Sequence, residues 1–128
     1  VTRVFVTQDL EQSCNQQINL IKKDFRHYKA TGSLPSYFGR DKPYSRPRSV
    51  KDQDMHHLHI ADNGNEFGRY TPQYYRTSDN HIIYTRGYAD QSDYLIIAFI
   101  TPNAHEKAND YEFLEQYAFI AHKFRCQY

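Results

Sequence analysis

From Leu10 onward the apolar positions Leu10, Cys14, Ile18, Ile21, Phe25 and Tyr28 fall three or four residues apart, the spacing that gathers them on one face of an α-helix. Asp9 with Gln12 suits a capping box at its start, and Gly32 suits its stop. Ahead of this helix, "RVFVT" (Arg3 to Thr7) is a β-branched and aromatic run that predicts an opening strand. Ser33 to Asp54 carries three prolines and two runs of charge without any period, which predicts a long loop with room for one helical turn.

Strand-like patterns follow. "MHHLHIA" (Met55 to Ala61) alternates, so that Leu58 and Ile60 share one face while His57, His59 and Ala61 share the other. A second strand is centred on Tyr75 to Arg86. "DYLIIAFI" (Asp93 to Ile100) is apolar on both faces and belongs inside the sheet. The polar turn "ADQSD" (Ala89 to Asp93) makes the last two strands an antiparallel hairpin. Phe113, Tyr117, Ile120, Ala121 and Phe124 mark a closing helix, with Asn109 and Glu112 as its expected capping box. The resulting order, β-α-loop-β-β-β-α, predicts an α+β fold: a small, mainly antiparallel sheet with helices packed on one face and the other face open.

Composition narrows the function. A chain of 128 residues is expected to form a single domain, residues 1–128. With 16 Lys and Arg against 15 Asp and Glu, no whole-molecule field draws it to naked nucleic acid or an anionic membrane, so any affinity for anions is local. No apolar run approaches the ~18 residues of a membrane span, and a cytoplasmic location is the simplest expectation. Cys14 and Cys126 lack a paired-cysteine motif and read as packing residues. Twelve Tyr and eight Phe point to an aromatic core, with rings to spare for stacking on bases.

Three stretches carry candidate chemistry. "RTSDNHIIYTRG" (Arg76 to Gly87) brings Arg76, Asp79, His81 and Tyr84 close together, and a regular strand would put Asp79 beside His81 on one face, where a carboxylate can orient an imidazole. In "TPNAHEKA", Pro102 stops the strand, and Asn103 with Glu106 reads as a helix start. The N–H groups of such a start would favour a phosphate and a neutral His105. The loop from Ser36 to Lys51 sets Arg40, Lys42, Arg46, Arg48 and Lys51 against Asp41 alone, interleaved with Tyr37, Phe38 and Tyr44, a composition that can hold phosphates and stack bases. His57 and His59 raise the question of zinc, but no His-Glu-x-x-His helix or cysteine pair completes a site, so neither metal nor other cofactor is expected. No serine- or cysteine-nucleophile motif and no glycine-rich phosphate loop is present.

"LPSYFGRD", "HLHIA", "RTSDNHIIY", "LIIA", "PNAH" and "KFR" resemble, in order and spacing, the YafO family of bacterial toxins, over almost the whole chain. More distantly, the order of elements is similar to the RelE/ParE superfamily. The resemblance implies the toxin of a type II toxin–antitoxin pair: an endoribonuclease that cuts mRNA on the ribosome, restrained by a cognate antitoxin. With the residues above, the expected reaction is metal-independent attack of the ribose 2′-OH, with catalysis on His57, His59, Asp79, His81 and His105 and with Arg76 stabilising the phosphate. RNA or ribosome binding would fall to Arg40, Lys42, Arg46, Arg48 and Lys51. Tyr128 receives no role. The alternative is a non-nuclease toxin of ParE type acting on gyrase.

Overall fold

The computed structural model describes residues 1–13 and 15–128. Strand β1 (Arg3–Val6) leads into helices α1 (Gln8–Ser13) and α2 (Asn15–Thr31). Then come β2 (Phe38–Pro43), the single turn α3 (Arg48–Lys51) and β3 (His56–Ile60). A 3₁₀ turn (Gln73–Tyr75) precedes the hairpin β4 (His81–Arg86) and β5 (Asp93–Ile100), and short α4 (Ala104–Lys107) and long α5 (Tyr111–Gln127) close the chain. The sheet order is β1-β5-β4-β3-β2, antiparallel except for β1 against β5. The expected α+β architecture, its antiparallel hairpin and the interior position of β5 are all present.

The two long helices do not share a face. Ile18, Ile21 and Phe25 of α2 pack with Leu58, Ile60, Ile82, Tyr84 and Ile96 on one side of the sheet. Leu114, Ala118, Ala121 and Phe124 of α5 pack with Ile83, Leu95 and Ile97 on the other. The apolar runs of β4 and β5 demand this, because a strand with both faces buried needs a cover on each. Helix α5 leans on β4 and β5 and on α3. It leaves uncovered the part of its face floored by β3 and β2.

Strand β2 lies within the stretch expected to be a loop. Its "FGRDKP" has glycine, proline and three charges, a composition that only an edge strand tolerates. Three helix ends also differ from expectation. Helix α1 begins at Gln8, so Asp9 sits inside its first turn. Helix α5 is capped by Asp110, whose carboxylate accepts from the Phe113 N–H, and not by Asn109. At α4, Asn103 holds the cap position without a side-chain bond. Gly32, at φ +79°, ends α2 as expected, its N–H donating to the Tyr28 carbonyl. Cys126 is exposed and is no packing residue, while Cys14 lies outside the described residues.

Two ion pairs fasten the sheet. The Arg3 guanidinium donates twice to buried Asp93, both at 2.7 Å, across the β1–β5 register. On the far edge, Asp41 of β2 accepts from Lys29 (2.8 Å) and Tyr28 (2.8 Å) of α2 and from Tyr84 (2.6 Å) of β4. Burial alone would raise the Asp41 carboxyl, but the Lys29 ammonium and the tyrosine hydroxyls outweigh it and hold it below its usual range.

Candidate active site

Register builds the site. In the β3–β4 pair His59 lies directly opposite His81, and His57 stands two residues further along the same face. The rings of His59 and His81 are 4.1 Å apart, those of His57 and His81 5.3 Å, and those of His57 and His59 5.7 Å. His56 points the other way, stacked on Tyr84 and bonded to Asp54. On β2, Lys42 is the cross-strand neighbour of His57, and Arg40 and Lys42 turn toward the histidines while Asp41 turns toward α2.

These groups line one cleft of about 600 Å³. His57, His59 and His81 line it from the sheet, Arg40, Lys42 and Arg46 from β2 and the segment after it, and His105 and Asn109 from the α4 side. His59 and His81 are only 4% and 3% exposed, whereas His105 is on the surface. Three cations against the single carboxylate of Asp79 make the cleft locally positive in a protein of formal net charge +1.

The backbone of Ser78 holds two of the imidazoles. Its N–H and its carbonyl oxygen both reach His59 Nδ1, at 2.8 and 3.1 Å, which fixes the ring in place without selecting a tautomer. Its carbonyl accepts from His81 Nε2 at 3.2 Å, which leaves His81 with its lone pair on Nδ1. That Nδ1, like His57 Nδ1, is buried and has no hydrogen-bond partner. His57 lies against the ring of Tyr44, with centroids 4.5 Å apart. Burial, reinforced by the neighbouring imidazoles, pushes His57 down to about 3. Burial, with His81 and Arg40 adding to it, pushes His59 down to about 4. Burial lowers His81 as well. The floor of the cleft is therefore a set of neutral imidazoles, each able to accept or donate a proton but none charged at neutral pH.

Other expected site residues take a different role or fall outside the cleft. Asp79 does not hydrogen-bond His81, because the strand begins only at His81. Its carboxylate accepts from the backbone N–H groups of His105 (2.9 Å) and Asn103 (2.8 Å), which hold it below its usual range and tie the entry of β4 to α4. Arg76, expected to stabilise the phosphate, lies outside the cleft and donates to the carbonyls of Thr71 and Phe38. Arg48 pairs with Asp52 on α3, and Lys51 is exposed there; neither lines the cleft. Tyr128 packs on Phe5 and Phe124, with its carbonyl bonded to Ala89 and Asp90. Sequence reasoning missed Ser78, although the polar triplet Ser78-Asp79-Asn80 is a turn signal that marks where β4 cannot yet have begun; Tyr44, read as a stacking ring of the loop, is instead the buried neighbour of His57. Among the described residues, no group of three or more His, Cys, Asp or Glu side chains is arranged to hold a metal ion.

Lysine and arginine beside neutral imidazoles suit one class of chemistry, the binding of a phosphate ester with proton transfer to and from its oxygens. Comparison with known proteins gives the family. Residues 26–126 match the family described as Toxin YafO, type II toxin–antitoxin system. The chain is 31% identical over 131 residues to the mRNA interferase toxin YafO of Escherichia coli (strain K12), covering 98% of this chain and 99% of that protein. It therefore belongs to the YafO family of type II toxins. No solved structure matches it.

Proposed function

We propose that this chain is an endoribonuclease that cuts mRNA on the ribosome, in the cleft of His57, His59, His81 and His105, by attack of a ribose 2′-OH on the adjacent phosphorus. The carrying observation is the convergence of four imidazoles and three cations in one cleft, in a relative of a protein named an mRNA interferase. An imidazole takes the proton of the 2′-OH and the 2′-oxygen bonds to phosphorus. The bond from phosphorus to the 5′-oxygen then breaks, and that oxygen takes a proton. The ends left are a 2′,3′-cyclic phosphate and a 5′-hydroxyl.

His57 and His81, neutral imidazoles that line the cleft, serve as proton acceptors. His59 donates to a phosphoryl oxygen, and the exposed His105 serves the leaving oxygen at the rim. Arg40, Lys42 and Arg46 offset the charge that gathers on the phosphorane. This chemistry is complete without a metal. A locally positive cleft on a nearly neutral protein is a weak anchor for free RNA, so the ribosome presents the message and orients the 2′-OH. A cognate antitoxin follows from the type II class, and the cytoplasm from the substrate.

The test is cleavage of a defined message on programmed ribosomes with analysis of the ends. Wild type should leave cyclic phosphate and 5′-hydroxyl ends, indifferent to EDTA once the ribosomes' magnesium is restored. His81→Ala should lose about 100-fold or more in rate. Intact message, damaged DNA or 3′-hydroxyl ends would refute the proposal.

A further inference from the structure

The basic and aromatic residues expected to work together in the Ser36–Lys51 loop part company in the folded protein. The cations Arg40, Lys42 and Arg46 reach the cleft. The rings offer no free face there: Tyr44 lines the cleft but is buried against His57, Phe38 is buried, and half-buried Tyr37 commits its hydroxyl to Asp24. Exposed rings come instead from the 3₁₀ turn. Tyr74 is 54% and Tyr75 68% exposed, their centroids 5.3 Å apart and their planes at 89°.

This pair is joined to the cleft by Arg40. The guanidinium that lines the cleft also lies over the Tyr74 ring, 4.2 Å from its centroid, and its Nε donates to the Tyr74 carbonyl at 2.6 Å. The Lys42 ammonium is 5.9 Å from the same ring. The turn itself is held rigid. The Gln73 amide donates to the Gly39 carbonyl (3.0 Å) and the Tyr28 hydroxyl (2.9 Å), and the Arg40 N–H donates to the Arg76 carbonyl (2.8 Å). Rings held out from a fixed turn offer a stacking surface with little ordering left to lose on binding. The neighbouring positive charge selects a polyanion as its occupant.

We propose that Tyr74 and Tyr75 form a base-stacking subsite for single-stranded RNA, taking the base of a nucleotide next to the phosphate held at Arg40 and Lys42. The subsite rests on the reading of the cleft as an RNA-cleaving site and adds its recognition of bases. Because every base presents a π face, stacking here fixes the position of the strand more than its sequence.

The experiment is single-turnover cleavage on programmed ribosomes with two messages, one natural and one carrying abasic nucleotides on either side of the cut. Wild type is compared with the double variants Tyr74→Ala/Tyr75→Ala and Tyr74→Phe/Tyr75→Phe, all checked for unchanged melting. On the natural message the Ala pair should fall about ten-fold in kcat/KM, the loss lying in KM, while the Phe pair stays near wild type. On the abasic message wild type and the Ala pair should be equal. An Ala pair that cuts the natural message at the wild-type rate overturns the subsite. So does a deficit of the same size on both messages, which would mean that the rings serve structure or contact with a protein. If wild type cuts neither message, the RNA-cleaving reading falls, and the subsite is judged by titration with a 2-aminopurine oligonucleotide. Quenching by wild type and the Phe pair but not the Ala pair then supports it, and equal quenching by all three, or none by any, overturns it.

Discussion

At the scale of single residues, what matters in this cleft is that its buried histidines are uncharged. Burial holds His57 near 3 and His59 near 4, below the ~6.5 of an unfolded chain. The unfolded chain therefore binds protons between about pH 6.5 and 4 that the folded protein refuses, and stability should fall as pH drops through that window. Denaturation midpoints at pH 7.5, 6 and 5 check this; His57→Phe should flatten the decline, and an equally steep decline would point to other groups. Asp79 gives a second expectation. Because it caps the entry to α4 and does not orient His81, Asp79→Ala should lower the melting temperature. Asp79→Asn, which still accepts from N–H groups, should keep most of the stability and the cleavage rate. Equal loss of cleavage in both variants would restore the carboxylate–imidazole pairing that the spacing Asp79-Asn80-His81 suggested.

At the scale of elements, β2 shows why the sequence was only partly legible. The alternation of "HLHI" and the apolar run of β5 place two strands because both face a core, and a core imposes a period. Edge strand β2 has no such signature: Phe38 is buried, Arg40 and Lys42 face the cleft and Asp41 faces α2, with a register shift between Phe38 and Asp41. The histidines on the cleft face of β3 were thus readable, and so was the phosphate-holding character of Arg40, Lys42 and Arg46, but not the strand that sets Arg40 and Lys42 beside the histidines. The turn at Ser78 was hidden within what looked like a strand. The strand stays in place largely through Asp41. Removing one partner of a buried pair strands the other charge, so Asp41→Ala should lose about 3 kcal/mol. Arg40→Ala, on the same strand, should cost far less. Urea denaturation of both variants decides; comparable losses would mean that the Lys29–Asp41–Tyr84 network does not fasten the edge.

On the scale of the whole molecule, a formal net charge of +1 leaves attraction for RNA to whichever cations share the cleft. Arg40→Glu with Arg46→Glu should weaken association with ribosomes carrying a message steeply. Wild-type association should fall as salt rises, and that dependence should flatten in the double variant. Arg48→Glu, outside the cleft and already paired with Asp52, should change little. Sedimentation over a salt series separates these outcomes, and an Arg48 effect as large as the Arg40/Arg46 effect would move the contact surface onto α3.

Gly39 is where the 3₁₀ turn meets the sheet: a Cβ there would stand 2.3 Å from the Arg76 carbonyl oxygen. The absent side chain lets residues 73–76 lie against β2 and occupy backbone groups that an edge strand would otherwise offer to any passing chain. Gly39→Ala should therefore do more than displace two tyrosines. By prising the turn away it would bare an unpaired strand edge, and the cell would meet the variant as an aggregate, harmless because it is insoluble; its partition into the pellet on expression, against a soluble Tyr74→Ala/Tyr75→Ala control, would show that this glycine protects the toxin from itself.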